Sequence, residues 1–290
     1  MKTTRRNFIK TGGAAVASAA VFSSMPLAFQ ACGSSAKTTA SVSLDSFGFQ
    51  IWTIRQDLLS DFEGTLKRMA AMGYSEVEMC SPLGYGFRSL NEMSGTEMRK
   101  IIDGTGLKCT SSHFTGPELR DSLENRIEWA SQVGMKQMAQ SMPPISLRNA
   151  TMDDWRKAAR DLNKIGEKTR AAGIQMVYHN HQFEFAEIDG QLIYPVLMEE
   201  LDPDLVKMQF QVAVIEQGFK AQDYIRKYPG RFISAHLADY SSKLEKQVPL
   251  GQGDVDWEDF FKAAKAEGIK NYFVEMAPDT FEASAEFLKS

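Results

Sequence analysis

The sequence predicts an α/β fold, a closed (β/α)8 or TIM barrel in one domain, on three observations. From residue 47 onward, short runs of strand character alternate with longer amphipathic runs of helical period. Eight such strands can be counted, and strands joined by helical crossovers form a parallel sheet that closes at eight repeats. No Gly/Pro/Ser-rich linker breaks the alternation. A doubly wound open sheet would announce a Gly-rich phosphate loop after its first strand, and here that strand runs into Ile54-Arg-Gln-Asp57.

In chain order the strands are expected at 48–54, 76–79, 107–112, 137–140, 175–179, 206–211, 232–236 and 272–275. The amphipathic stretches between them are 62–72, 94–105, 119–133, 152–172, 194–201, 221–228 and 257–267. Several of these helices stop at a glycine just before the next strand, as at Gly134 and Gly173. Glycine supplies the left-handed residue that closes a helix and turns the chain into a parallel strand.

The barrel is expected to begin only at residue 47. Thr3-Thr-Arg-Arg-Asn-Phe-Ile-Lys10, followed by an alanine-rich apolar stretch, reads as a twin-arginine-type export signal over residues 1–31. The run is short, and poor in Leu and Ile, for a transmembrane helix. A small residue before Cys32 resembles a lipoprotein processing site, so Cys32 is a candidate lipidation site with 32–46 as a flexible tether. The expected location is the periplasm, with a membrane tether through Cys32. Cys80 and Cys109 are too few for a disulfide framework and read as core residues.

The chain has 33 basic and 37 acidic side chains. Removing Lys2, Arg5, Arg6 and Lys10 with the signal leaves 29 against 37, a net charge of −8. An acidic domain without a basic run argues against a nucleic-acid partner.

Barrel active sites form at the C-terminal ends of the strands. All four histidines fall there: His113 after strand three, His179 and His181 at strand five, His236 at strand seven. One histidine so placed would be an ordinary hydrogen-bonded core residue; four on one rim are not. Glu78 and Glu275 add carboxylates at strands two and eight. Residues two apart on a strand share a face, so His179 and His181 can both point into the mouth. A ring of imidazoles and carboxylates suits Zn, Mn, Co or Fe as one divalent metal ion. Trp52, Phe114, Phe183 and Tyr240 are rim aromatics that can stack on a sugar face, and Arg55 can bind a hydroxyl or carboxylate. Glu184 can orient a histidine or bind a sugar hydroxyl, or simply be an exposed strand-end charge.

From about Phe47 to Lys289 the chain resembles the xylose isomerase-like barrels, broadly the sugar phosphate isomerases/epimerases. The resemblance rests on Gln50-Ile-Trp-Thr-Ile-Arg55, Tyr178-His-Asn-His181, Tyr228-Pro-Gly-Arg-Phe232, His236-Leu-Ala-Asp239, Gly251-Gln-Gly253 and Phe273-Val-Glu275. It implies one divalent metal held by residues from strands five to eight, deprotonation of a carbon beside a sugar carbonyl, and a homodimer, since barrels of this family often pair. His236 and Glu275 match the last two ligands. At the first two the chain departs, with His179 where Glu is usual and Gln211 where Asp is usual. The Tyr-His-Asn-His variant is similar to a subgroup that includes inosose dehydratase-like and keto-sugar-processing proteins.

The expected metal set is therefore His179, Gln211, His236 and Glu275. Glu275, His181 and His113 are the acid/base candidates, and Trp52, Arg55, Glu78 and Glu184 the substrate contacts. With one carboxylate fewer, two-base epimerisation gives way to one-base isomerisation or to removal or addition of water on a sugar or keto-sugar. The alternative is a sugar-binding lipoprotein that kept the pocket and lost the chemistry. A DNA-repair endonuclease of the same fold fails on charge, on export and on the size of the ligand set.

Overall fold

The computed structural model describes residues 43–290. The export signal, Cys32 and most of the tether expected at 32–46 lie outside the described residues. Among the described residues, no helix is long and apolar enough to cross a membrane.

Eight parallel strands close into a barrel: β1 (Gly48–Gln50), β2 (Glu76–Cys80), β3 (Lys108–Thr115), β4 (Gln137–Met142), β5 (Gln175–His179), β6 (Val206–Gln211), β7 (Phe232–Leu237) and β8 (Asn271–Val274). β1 closes the ring, pairing with β8 through Gly48 and Phe273 and with β2 through Gly48 and Glu76. A Cβ on Gly48 would lie 2.6 Å from the Phe273 ring and 2.9 Å from the Glu76 carbonyl oxygen, so the seam needs a glycine there. The surrounding helices are α1 (Phe62–Ala71), α2 (Gly95–Gly104), α3 (Gly116–Val133), α4 (Met152–Ala171), α5 (Ile193–Glu200), α6 (Ala221–Lys227), α7 (Trp257–Ala266) and α8 (Phe281–Lys289).

Local chemistry starts and stops these helices where the sequence implies. Ser94 with Glu97, and Thr151 with Asp154, form reciprocal capping boxes on α2 and α4. Each such cap contributes about 1 kcal/mol. Gly134 ends α3 at φ 94°, where a Cβ would be strained. The buried faces then pack Leu66 and Met69 of α1, Leu162 and Trp155 of α4 and Phe260 of α7 against the outward side chains of the strands.

Two strand boundaries differ from expectation. The first strand stops at Gln50 rather than continuing to residue 54, because Trp52–Ile54 forms a 3-10 turn. The Gln50 side-chain oxygen accepts the Trp52 amide, and the Ile54 amide bonds to Ile51 instead of a neighbouring strand. The third strand runs on to Thr115, so His113 sits inside it rather than at its end.

Outward residues of the strands fill the usual apolar layer, but the inward ones are mostly polar. At the lower end Glu76 accepts from Thr110 and Asn271, and Asn271 accepts from Gln137. Higher up come Glu78, Ser111, Gln209 and Gln50, all fully buried. A barrel centre is ordinarily filled by branched aliphatic side chains. This one is a hydrogen-bonded polar column that rises to the mouth.

Candidate active site

His113 of β3, His179 of β5 and His236 of β7 come from alternate strands and occupy one layer of the barrel. Their ring centroids are 4.7 Å apart for His113 and His179, 5.1 Å for His113 and His236, and 4.3 Å for His179 and His236. One ligand atom from each falls within 4.8 Å of the others. Gln50 of β1 joins this layer, with Nε2 3.4 Å from His113 Nδ1 and 3.1 Å from Cys80 Sγ.

A carboxylate lies on either side of the layer. Below it, Glu78 accepts from Ser111 Oγ at 2.6 Å and Gln209 Nε2 at 2.8 Å, and its second oxygen lies 2.5 Å from His236 Nε2 and 3.1 Å from His113 Nε2. Above it, Glu275 Oε2 is 3.0 Å from His236 Nδ1 and accepts from Gln211 Nε2 at 2.7 Å. Burial works against charge on His236, yet Glu78 and Glu275 together raise it to about 9. Burial alone would raise Glu78, but the His113 and His236 imidazoles hold it well below the usual carboxylate range. Glu275 is lowered in the same way, chiefly by His236 acting against burial.

His179 behaves oppositely. Burial, and then the neighbouring imidazoles His236, His113 and His181, push it well below the ordinary histidine range. It is a neutral imidazole whose Nδ1 is buried without a hydrogen-bond partner. An unpartnered buried nitrogen facing two further imidazoles is a ligand position, so the donor set fits a borderline divalent ion. His113, His179 and His236 would hold it, His236 first giving up the proton it shares with the carboxylates, with Glu275 adjoining.

This set departs from the expected one. Gln211 is turned away: its carbonyl oxygen accepts the Ala213 amide at 3.3 Å, and its amide group is spent on Glu275. His113, expected as an acid or base, takes its place beside the other two imidazoles. The 3-10 turn Val212–Gln217 that begins at Gln211 draws the side chain toward its own backbone.

His181 lies one layer further out, its ring 4.8 Å from His179 and stacked on Phe183 at 5.1 Å. Burial lowers it to about 4, so it is neutral near pH 7 and can take a proton. Its backbone amide donates to Glu184 Oε2 at 2.7 Å, and Tyr178 donates to the other oxygen at 2.6 Å. Glu184 is thus neither a substrate contact nor an exposed charge. It is fully buried and fixes the loop that carries His181.

Burial pushes the Glu184 carboxyl up to about 8 from 4.5. The folded chain therefore keeps that proton through a window in which the unfolded chain has lost it, and stability should fall as pH rises from about 4.5 to about 8. Glu184→Gln should flatten this slope, as read by denaturant midpoints across the same range.

Glu78 is also corrected. It is the third of five residues in β2, below the histidines and completely buried, so it supports the cluster rather than touching a substrate. Phe114 points outward against Trp129, away from the mouth. Trp52 does reach the rim, 40% exposed, with the Arg55 guanidinium 4.1 Å over its ring and donating to its carbonyl at 2.7 Å. Cys80 and Cys109 are free and buried, as expected.

Ser111 and Gln209 also build the site although nothing beside them in the sequence marks a function, and Gln50 stands in the Gln50–Arg55 motif without a role assigned to it. The available signal was the period of two: Gln209 shares a face with Gln211, and Ser111 with His113.

A family model described as xylose isomerase-like TIM barrel matches residues 66–290. The chain belongs to that family. Solved structures that share the fold include a sugar phosphate isomerase/epimerase from Parabacteroides distasonis, to which the chain is 24% identical with a TM-score of 0.74, covering 87% of this chain and 95% of that one. The IOLI protein, solved with a bound zinc atom, shares the fold at 13% identity and a TM-score of 0.63, covering 84% and 95%. Among curated proteins the chain is similar to the inosose dehydratase of Clostridium perfringens, 25% identical over 140 residues. That match takes in 42% of this chain and 46% of the relative, so the chain spans about half the length of the curated relatives it matches.

Proposed function

We propose that the protein is a divalent-metal-dependent enzyme that removes a proton from a carbon beside the carbonyl of a sugar or keto-sugar, to isomerise it or to add or remove water. One observation carries this reading. A neutral His179, its Nδ1 without a hydrogen-bond partner, packs against two further buried imidazoles at the mouth of the barrel, and Glu275 and His181 stand at the layer above. The similarity to inosose dehydratases, and the zinc in the IOLI structure, support the substrate class and the metal.

His113, His179 and His236 would hold a divalent ion, which would supply Lewis-acid polarisation of a carbonyl. The chain's own residues do the rest. Glu275 is held ionised by His236, and its carboxylate is the base that takes the proton from carbon. His181, neutral and backed by Phe183, is positioned to carry a proton to or from a departing hydroxyl. Glu78 aligns His113 and His236 from beneath. A single carboxylate base at the mouth suits one-face proton removal. The export signal at 1–31, lipidation at Cys32 and a periplasmic location belong to the same proposal.

Incubation of the full chain with an inosose or a simple ketose in D2O tests it. The expected result is deuterium at the carbon next to the carbonyl, reduced by about 10²–10⁴ in Glu275→Gln. No exchange with any keto-sugar, by a chain that retains its metal, would leave a sugar-binding protein in its place.

A further inference from the structure

Tyr85 lies in the loop after β2, yet its side chain folds back over the barrel mouth. The ring packs edge-on against Trp52, after β1, with centroids 5.7 Å apart, and the hydroxyl bonds to Ser141 of β4. β2 and β3 stand between those two partners in the ring of strands. The side chain therefore crosses the mouth above Cys80 and His113, which pair with each other there. Burial first, then the Cys80 thiol, and after it Glu275 and Glu78, push the Tyr85 hydroxyl well above the ordinary tyrosine range, against the opposing pull of its bond to Ser141. The phenol keeps its proton, and it does so within electrostatic reach of Glu275.

Both walls of the mouth hold this pair in place. Ser81, at the start of the loop, donates its amide to the His113 carbonyl at 2.8 Å and its hydroxyl to the buried Glu118 of α3. Gly84 packs so closely on the Glu118 carboxylate that a Cβ would overlap it, and the Tyr85 amide closes the turn on the Ser81 carbonyl at 3.0 Å. On the other side, Phe114 pairs with Gln140 and Thr115 with Met142, which leaves Ser141 at a bulge outside the ladder. A bulge re-aims the side chain it carries. Ser141 comes two residues after Ala139, the partner of His113, as Glu275 comes two after Phe273, the partner of His236. β4 and β8 are four strands apart either way round the barrel, so Ser141 and Glu275 belong to opposite walls.

Two hydroxyls bonded to each other use one of their two protons. The second proton has no acceptor among the described residues, although Ser141 is only 3% exposed. A spare donor buried at the mouth of a site is made for a ligand oxygen.

We infer that Tyr85 and Ser141 are substrate-binding residues, which grip a hydroxyl on the far side of the keto-sugar from the carbon that faces Glu275. The inference rests on the keto-sugar reading of the same site and narrows its substrate class. The substrate is a polyhydroxylated ketone with a hydroxyl beyond the carbons next to its carbonyl. The pair orients and selects, and proton transfer stays with Glu275 and His181.

Calorimetric titration of the full chain with an inosose, in the parent, Tyr85→Phe and Ser141→Ala, tests the inference. Tyr85→Phe keeps the ring on Trp52 and removes only the hydroxyl. Each variant should bind the inosose about tenfold more weakly. The preference for the inosose over dihydroxyacetone, whose hydroxyls both adjoin its carbonyl, should shrink by about the same factor in the KM for deuterium exchange. A hydroxyl pair with a merely structural role would lower the urea midpoint of the variants and leave their affinity unchanged, and that result overturns the inference. So does a parent that binds no inosose. Binding that weakens in both variants, in a parent that exchanges no deuterium, upholds the hydroxyl site while the proton-abstraction reading falls.

Discussion

Glu78→Ala is expected to destabilise the barrel by about 3–5 kcal/mol. The carboxylate is fully buried and is the common partner of Ser111, Gln209, His113 and His236. Removing it leaves the Ser111 hydroxyl and the Gln209 amide without their acceptor, and deprives His236 of one of its two counter-charges. Urea unfolding should show the loss as a lower midpoint at unchanged slope. Glu78→Gln should recover part of it, because an amide oxygen still accepts from Ser111 and Gln209 but carries no charge for the imidazoles. A change below about 1 kcal/mol in Glu78→Ala would mean that the polar column does not hold the centre together.

The second large effect is on turnover. His236→Ala removes the side chain that touches both carboxylates and stacks on His113. Glu275 then loses the partner that lowers it and that holds its oxygen in place, and its proton affinity rises. With the cluster reduced to two imidazoles as well, turnover of any keto-sugar should fall by at least about 10²-fold. His236→Gln, which keeps a neutral hydrogen-bonding group, should rescue stability more than turnover. Rescue of both equally would reduce His236 to a structural residue.

Much of this site is legible in the sequence, for identifiable reasons. His179 and His236 each end a largely apolar run of strand length, His181 lies two residues on and His113 closes a run of small polar residues, and the face on which strand ends gather is a property of the fold. Glu275 is found by the same argument. The amides packed around and beneath the histidines are harder to read. Gln50 and Gln209 are ordinary amides in strands until closure of the barrel sets them against His113 and Glu78, 63 and 131 residues away in sequence from their respective partners. Gln211 misleads because its spacing is right while the 3-10 turn after it captures its carbonyl oxygen. Glu184 misleads because a charge after a strand is ordinarily exposed, whereas here Tyr178 and the His181 amide enclose it. In each case strand periodicity gives the face, and a long-range or backbone contact decides the role.

The most direct test of the account is the metal content of the purified full chain beside its His236→Ala variant. The account predicts about one equivalent of Zn, Mn, Co or Fe per chain in the parent, and little in the variant. No metal in the parent, even after incubation with excess ions, would contradict it and leave the buried imidazoles as a proton-holding network without a Lewis acid.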